Sequence, residues 1–364
     1  MKKEIEELNK KIETENKKAN RLIEQLGKHN KDLFDSLINI ENCFSSIRGI
    51  PLKEKRKYKT AQKIRLNWEE SVKKIEKALN SSSAKAAGFG AVGASTGIAI
   101  VAFGPTAAMG IATTFGVAST GTAISSLSGA AATNAALAWL GGGALAAGGT
   151  GMAGGKLLLA FAGPVGWAIA AISLVASGIF LFSALKKKKR LENLIFLIGS
   201  DQLNRLKLAI VELKERMKLI DDEVKSIEHA VSEIKTFGVD YSSMVEEQKY
   251  KLGVYVNLMY ASSQLLVKPI DNLKQRFNES DFDSFLKKSK NSIDYQIYKS
   301  NKDIIIYFAN QFYGIKMEND DYELMWKINR KDKDLLQAFN ITKNDFVESI
   351  FWGIRDALYY SRGY

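Results

Sequence analysis

Few residues of this chain have the types and spacing that support catalysis or metal binding. Both histidines, His29 and His229, lie in stretches with a helical apolar period, and neither has a spacing that is typical of metal ligands. The single cysteine, Cys43, has no second thiol with which to form a disulfide. The acidic run from Asp221 to Glu223 is typical of a solvated helix face. The sequence therefore predicts no enzyme, no metal and no cofactor.

Glycine-rich segments give three partial matches to nucleotide-binding motifs. Residues 88–93 and 149–154 fit the dinucleotide pattern, but neither follows a β-branched strand or has an acidic residue about 20 positions later. Residues 150–157 resemble a phosphate-binding loop. However, Thr150 stands in place of its first glycine, and Leu157 stands in place of the Ser or Thr that binds magnesium. These matches reflect the local abundance of glycine, and nucleotide binding is not predicted.

The glycines belong to an apolar block that runs from Ala86 to Leu185. This block contains 20 of the 28 glycines of the chain, and its single formal charge is Lys156. Both flanks of the block are rich in Lys and Glu. Such a segment is buried either inside a protein or in a lipid bilayer, where each backbone polar group must bond within its own helix. The environment of the block is therefore the main indicator of function.

The last part of the block, residues 157–185, is the best candidate for a membrane-spanning helix. It carries no charge over its whole length, and about 20 residues suffice to cross a bilayer. Stretches 86–103, 107–127 and 130–147 are weaker candidates, because they consist mostly of small residues. The side chains that we expect to enter lipid are Leu157, Leu158, Leu159, Trp167, Ile169, Ile172, Leu174, Val175, Ile179, Phe180, Leu181 and Phe182.

Several glycines of the block have spacings that favour close helix packing or a turn. Two pairs are separated by three residues, which puts both glycines of a pair on one helix face. A run of three is expected to form the turn of a helical hairpin. These glycines are the pairs Gly93 and Gly97, and Gly151 and Gly155, and the run Gly141, Gly142 and Gly143. A water-soluble core of glycine-packed helices is the alternative to membrane insertion.

The net charge of +12 is unevenly distributed along the chain. A second basic cluster, at 53–65, precedes the block and is equally compatible with a solvated helix surface. A basic run at the edge of an apolar span is typical of an anchor on anionic lipid headgroups. The run that directly follows the block consists of Lys186, Lys187, Lys188, Lys189 and Arg190. No motif of an RNA-binding sheet is present, so we expect a lipid bilayer, preferably anionic, and no nucleic acid as partner.

Long amphipathic helices are predicted on both sides of the block. Apolar residues three or four apart from Ile5 to Ile47 predict one helix, which Gly49 and Pro51 end, and a second helix is expected from about 53 to 80. Beyond the block, apolar positions alternate steps of three and four from Leu203 to Ile234, which is typical of a coiled helix.

A second seam of apolar positions runs from Leu252 to Phe277. Gly238 is expected to form the turn between the two seams, and Pro269 to kink or break the second. From about residue 281 the chain becomes rich in aromatic residues, which we expect to form the core of a small subdomain. Its last helix is predicted from about Lys343 to Tyr360.

Together these patterns predict an all-α protein with four parts. They are N-terminal long amphipathic helices (1–85), a glycine-rich apolar membrane-insertion region (86–185), a coiled helical hairpin (186–280) and an aromatic-rich helical C-terminal subdomain (281–364). We expect an elongated antiparallel bundle of long helices that encloses the apolar region as a helical hairpin.

This order of parts resembles the α-helical pore-forming toxins of the ClyA and haemolysin BL type, over residues 1 to about 280. The resemblance lies in the block from Ala86 to Leu185 between the apolar seams at Ile5 to Ile47 and Leu203 to Ile234. It implies a bundle that conceals an apolar element until the element enters a membrane and several protomers assemble into a ring. The glycine content of the block also resembles the membrane segment of apolipoprotein-L-like proteins.

The leading hypothesis is a membrane-inserting, oligomeric protein that forms pores or disrupts membranes, as a bacterial toxin or a self-killing or antiphage effector does. The N-terminus lacks an apolar run of signal-peptide type, so we expect the protein to be cytoplasmic or soluble when made and membrane-bound later. One alternative is a membrane-anchored coiled-coil scaffold that binds a helical partner protein without pore activity. Another is a soluble interaction protein with a glycine-packed core.

Overall fold

The computed structural model describes residues 2–88, 105–115 and 187–363, except 274–275, 332–334, 337–338 and 340. Every regular element in these residues is a helix, which confirms the predicted all-α class. The α-helices are α1 Lys2–Ser46, α2 Leu52–Gly88, α3 Pro105–Phe115, α4 Lys188–Ile234, α5 Glu246–Val267, α6 Glu279–Lys288, α7 Tyr295–Ser300, α8 Lys302–Phe312, α9 Asn319–Asn329 and α10 Ser349–Ser361.

The four longest helices form two hairpins, α1 with α2 and α4 with α5. Glycines with a positive φ lie in the two turns, Gly49 at 75° and Gly238 at 84°, where a side chain would be strained. The turns contact each other, because the Arg48 amide donates to the Val239 carbonyl at 2.8 Å and the Tyr241 amide donates to the Arg48 carbonyl at 2.9 Å. Both hairpin turns therefore lie at the same end of the bundle.

The helices are antiparallel within each hairpin, whereas α1 and α4 run side by side in the same direction. Leu8 lies against Gly199, and His29 Nδ1 lies 2.5 Å from Asp221 Oδ1, so residue numbers increase together along the two helices. The expected antiparallel arrangement thus applies within each hairpin and to the contact of α1 with α5, but not to α1 with α4. Because both hairpins start from the same end, their first helices are parallel.

The predicted apolar seams form the core of the bundle. In α4 the seam residues from Leu203 to Ile234 are buried, apart from Val224 and Val231, which are partly buried. Helix α5 ends at Val267, two residues before Pro269, as the sequence predicts. Helix α2 continues to Gly88, so the end expected at about 80 is wrong. The residues after the three serines are mostly Ala, with one Lys, and these favour helix.

The aromatic residues of the C-terminal subdomain form a second core, as expected. Its fully buried aromatic members from the subdomain are Phe282, Tyr307, Phe308, Phe312, Phe346 and Phe351. This core also includes apolar residues from the start of α1 and the start of α4, so the subdomain packs on the end of the bundle opposite the hairpin turns.

The last helix begins at Ser349, six residues later than predicted. Thr342 Oγ1 accepts from the Asp345 amide at 3.3 Å in a turn that precedes the helix. Phe346 is fully buried, and its carbonyl accepts from Trp326 Nε1 at 2.9 Å. These tertiary contacts hold the segment outside the helix.

Candidate functional site

Helix α3 is the part of the apolar block that the structure describes between the two hairpins. It contacts α1 and α2 and the C-terminal end of α5. Its side chains from Ile111 to Thr114 are at most 4% exposed, and Ala108 is fully buried. Amphipathic helices therefore enclose this part of the block.

Two glycines allow α1 and α3 to approach each other closely. A Cβ atom at Gly27 would lie 1.7 Å from the carbonyl oxygen of Thr106, and a Cβ atom at Gly110 would lie 2.1 Å from the carbonyl oxygen of Ile23. No side chain fits at these distances, so even alanine at either position must move the helices apart. In α5, by contrast, no described atom lies within 4 Å of the corresponding position at Gly253.

The hydroxyl group of Thr113 links α3 to three other helices. It donates to the Leu266 carbonyl of α5 at 2.9 Å, and it accepts from Asn30 Nδ2 of α1 at 2.9 Å. It also accepts from Trp68 Nε1 of α2 at 3.1 Å. The side chains of Thr113, Asn30 and Trp68 are all fully buried. Because a buried polar group that loses its partner costs roughly 1–3 kcal/mol, these bonds hold α3 in one position. We call the contact of Gly27, Asn30, Trp68 and Leu266 with α3 the α3 site.

Further hydrogen bonds satisfy the carbonyl groups at the C-terminal ends of α3 and α5. The Ile270 amide donates to the Thr114 carbonyl at 2.9 Å. Arg216 Nη1 of α4 donates to the Lys268 carbonyl at 2.6 Å. Burial lowers the pKa of Arg216. The last carbonyls of a helix have no partner within it, so these bonds stabilise both ends at the α3 site.

The α3 site is not fully satisfied. Among the described residues, Asn30 Oδ1 and Thr114 Oγ1 are buried without a hydrogen-bond partner. Each such atom costs roughly 1–3 kcal/mol of stability. The site thus combines close packing with two unpartnered buried polar atoms.

A buried ion pair next to the α3 site joins α1 to α2. Arg65 donates from Nε to Glu41 Oε1 at 2.7 Å and from Nη2 to Oε2 at 2.8 Å. Burial opposes the charge on Arg65, but its hydrogen bonds with Glu41 raise its pKa. The guanidinium lies 5.2 Å from the ring centre of Phe34, which in turn packs against Trp68 with ring centres 5.6 Å apart. The ion pair therefore supports the tryptophan that binds Thr113.

The basic run at the start of α4 contacts acidic residues of the C-terminal subdomain. Arg190 Nε donates to Asp321 Oδ1 at 2.8 Å, and Arg190 Nη2 donates to Asp321 Oδ2. Lys187 Nζ pairs with Asp320. Both aspartates lie in the first turn of α9. Two of the predicted headgroup residues are therefore engaged with carboxylates of the same chain.

The other two described residues of the run, Lys188 and Lys189, are exposed as well. Lys188 Nζ lies 3.9 Å from Glu192 Oε1.

Burial raises the pKa of Asp321, but hydrogen bonds from Arg190 and from the Glu318 amide outweigh burial and lower that pKa overall. The Asp321 carboxylate is therefore ionised and paired at neutral pH.

All of the other predicted site residues lie outside the residues that the structure describes. No helix among the described residues is both long and apolar enough to cross a bilayer. Their His, Cys, Asp and Glu side chains likewise form no cluster suited to a metal ion. The predicted residues outside the described ranges are Gly93, Gly97, Gly141, Gly142, Gly143, Gly151, Gly155, Leu157, Leu158, Leu159, Trp167, Ile169, Ile172, Leu174, Val175, Ile179, Phe180, Leu181, Phe182 and Lys186.

Periodicity and motifs in the sequence do not identify the residues of the α3 site. One signal was present, because Asn30 stands at a core position of α1 between Leu26 and Leu33, where the apolar period has a gap. A single polar residue in an apolar seam often specifies a particular contact. The partner of Asn30, Thr113, could not be found from periodicity.

No protein-family model, curated protein or solved structure matches this chain. Its function must therefore be inferred from the contacts of α3 and of the basic run.

Proposed function

We propose that this protein is a membrane-inserting, oligomeric protein that forms pores or disrupts membranes, and that it keeps α3 buried until it meets a bilayer. A toxin or a self-killing or antiphage effector would have this activity. The observation that carries the proposal is the enclosure of α3, a segment of the apolar block, by α1, α2 and α5.

The composition of α3 is compatible with two environments. Residues 105–115 carry no charge, and the helix satisfies its internal backbone groups itself. In the bundle, Thr113 and the glycine contact hold the helix in place. In a bilayer, lipid would replace the jacket of helices as the apolar surrounding. For α3 to move from the bundle to the bilayer, the helix needs only a higher affinity for lipid than for its site in the bundle.

The course of the chain supports insertion from one end of the bundle. Helix α2 continues for 20 residues beyond Trp68, which adds about 30 Å toward the start of α1. Helix α4 begins at that same end, where Leu191 packs in one core with Ile5. The last described residue of α2 and the first described residue of α4 therefore lie toward the same end of the bundle.

Dye release from lipid vesicles tests this proposal. We expect the purified full-length chain to release dye, and to do so faster when the vesicles contain phosphatidylserine, because each basic residue near an anionic surface contributes about 1 kcal/mol. A membrane-anchored scaffold would be favoured if neutral and anionic vesicles both stay intact while the protein remains bound to them after carbonate extraction. Vesicles that stay intact without bound protein would favour a soluble interaction protein.

A further inference from the structure

The acidic pair Asp320 and Asp321 is bonded to Lys187 and Arg190, two residues of the basic run that directly follows the apolar block. We propose that this acidic pair occupies the positions that anionic lipid headgroups take on Lys187 and Arg190, and that the C-terminal subdomain thereby restrains membrane association until a bilayer competes. This inference rests on the proposed function and adds a regulatory role for the subdomain.

The geometry at Arg190 matches the way arginine binds a phosphate group. Its Nε and Nη2 atoms donate to the two oxygens of one Asp321 carboxylate. The same two-pronged arrangement is common for arginine with phosphate. The Arg190 side chain is 42% exposed, whereas that of Asp321 is 4% exposed. A headgroup can therefore approach the guanidinium from the solvent side.

In the second contact, between Lys187 and Asp320, both side chains are exposed to solvent. The side chains are 52% and 69% exposed, respectively. Exposed ion pairs contribute little to stability, so this pair is poorly explained as a structural support. It is instead well placed for exchange with another anion.

The position of Lys187 and Arg190 in the chain indicates which anion would compete with the two aspartates. Lys187 follows the last apolar residue, Leu185, by two positions, so an inserted block would bring it to the headgroup layer. Headgroups of an anionic leaflet act on such residues within a Debye length of the surface. The competing ligand is therefore an anionic lipid surface.

The test measures association of the full-length chain with vesicles by flotation, without reference to dye release. Asp320→Asn removes the exposed acidic partner and should strengthen association with phosphatidylserine vesicles about fivefold, with no change for phosphatidylcholine alone. The matched control is Asp283→Asn, which makes the same change in net charge in the same subdomain. Asp283 Oδ1 pairs with Lys302 Nζ at 3.1 Å, away from the basic run. Circular dichroism checks that each variant is folded.

A double-variant comparison then identifies the partner through which Asp320 acts. Lys187→Gln should weaken association, and Asp320→Asn should have no further effect in that background. An equal gain from Asp283→Asn, a gain from Asp320→Asn that persists without Lys187, or no gain at all would overturn the proposal. Association and leakage are separate measurements. If the chain makes vesicles leak but Asp320→Asn does not change its association with them, only this inference is refuted.

Discussion

The indole nitrogen of Trp68 in α2 donates to the hydroxyl oxygen of Thr113 in α3 at 3.1 Å, although the two residues lie 45 positions apart. The same oxygen accepts from Asn30 and donates to the Leu266 carbonyl. One side chain of the apolar block is therefore bonded to three of the helices around it, and its removal is the most direct way to weaken the enclosure of α3.

We expect Thr113→Val to lower the free energy of unfolding by about 2–4 kcal/mol, because it leaves Trp68 Nε1 and Asn30 Nδ2 buried without that acceptor. Thr113→Ser keeps the hydroxyl group and should cost only about 1 kcal/mol for the lost methyl group. Urea unfolding followed by circular dichroism measures both. If α3 must leave its site before insertion, the valine variant should also release dye faster than the serine variant. Equal stability of the two variants would contradict the role of the hydroxyl group.

Alanine at Gly110 should lower the stability of the bundle by about 3 kcal/mol, because a backbone carbonyl cannot move aside as a flexible side chain does. The matched variant is Gly253→Ala in α5, where the space is open. There the better helix propensity of alanine should raise stability by about 0.5–1 kcal/mol. The two substitutions thus differ in sign in the same unfolding experiment. A neutral Gly110→Ala would show that α1 and α3 are not in close contact.

Two aspartates in residues 157–185 test insertion itself. Ala170→Asp and Ala176→Asp should each add roughly 2.5–3.5 kcal/mol to the cost of crossing a bilayer. The double variant should therefore lose dye release. Both positions lie outside the described residues, so circular dichroism and size-exclusion chromatography must show that the variant is folded and monodisperse. A folded variant with full activity would exclude this segment as the one that inserts.

Acid should weaken the contact between α4 and α9. The pKa of Asp321 is lowered in the folded chain, so its ionised form contributes stability that is complete above the unfolded value of about 3.9. That contribution is lost as the pH falls through the lower folded pKa. Arg190→Gln should move the titration of Asp321, followed by carboxyl-carbon NMR, to higher pH, and it should move the midpoint of acid unfolding in the same direction. Identical titrations in the two proteins would exclude Arg190 as the cause.

Periodicity predicted which helix faces are buried, because steps of three and four place the seam from Leu203 to Ile234 on one side of α4. Glycine chemistry predicted the turns at Gly49 and Gly238. Neither pattern indicates which buried helix face packs against which other helix. The parallel packing of α1 on α4 and the bonds of Thr113 depend on contacts between distant segments. No local pattern encodes such contacts, so this part of the fold and the α3 site required the structure.

The backbone bonds of Arg48 with Val239 and Tyr241 have a mechanical consequence. They hold the two hairpins together far from the α3 site and at the end opposite the C-terminal subdomain. Loss of the α3 contacts would break none of them, and it would also leave the packing of α1 on α4, which is the most extensive helix contact among the described residues. The turns clamp these two helices at one end, and the core that they share with the C-terminal subdomain clamps them at the other. Any departure of α3 must therefore displace α2 or α5 rather than separate α1 from α4.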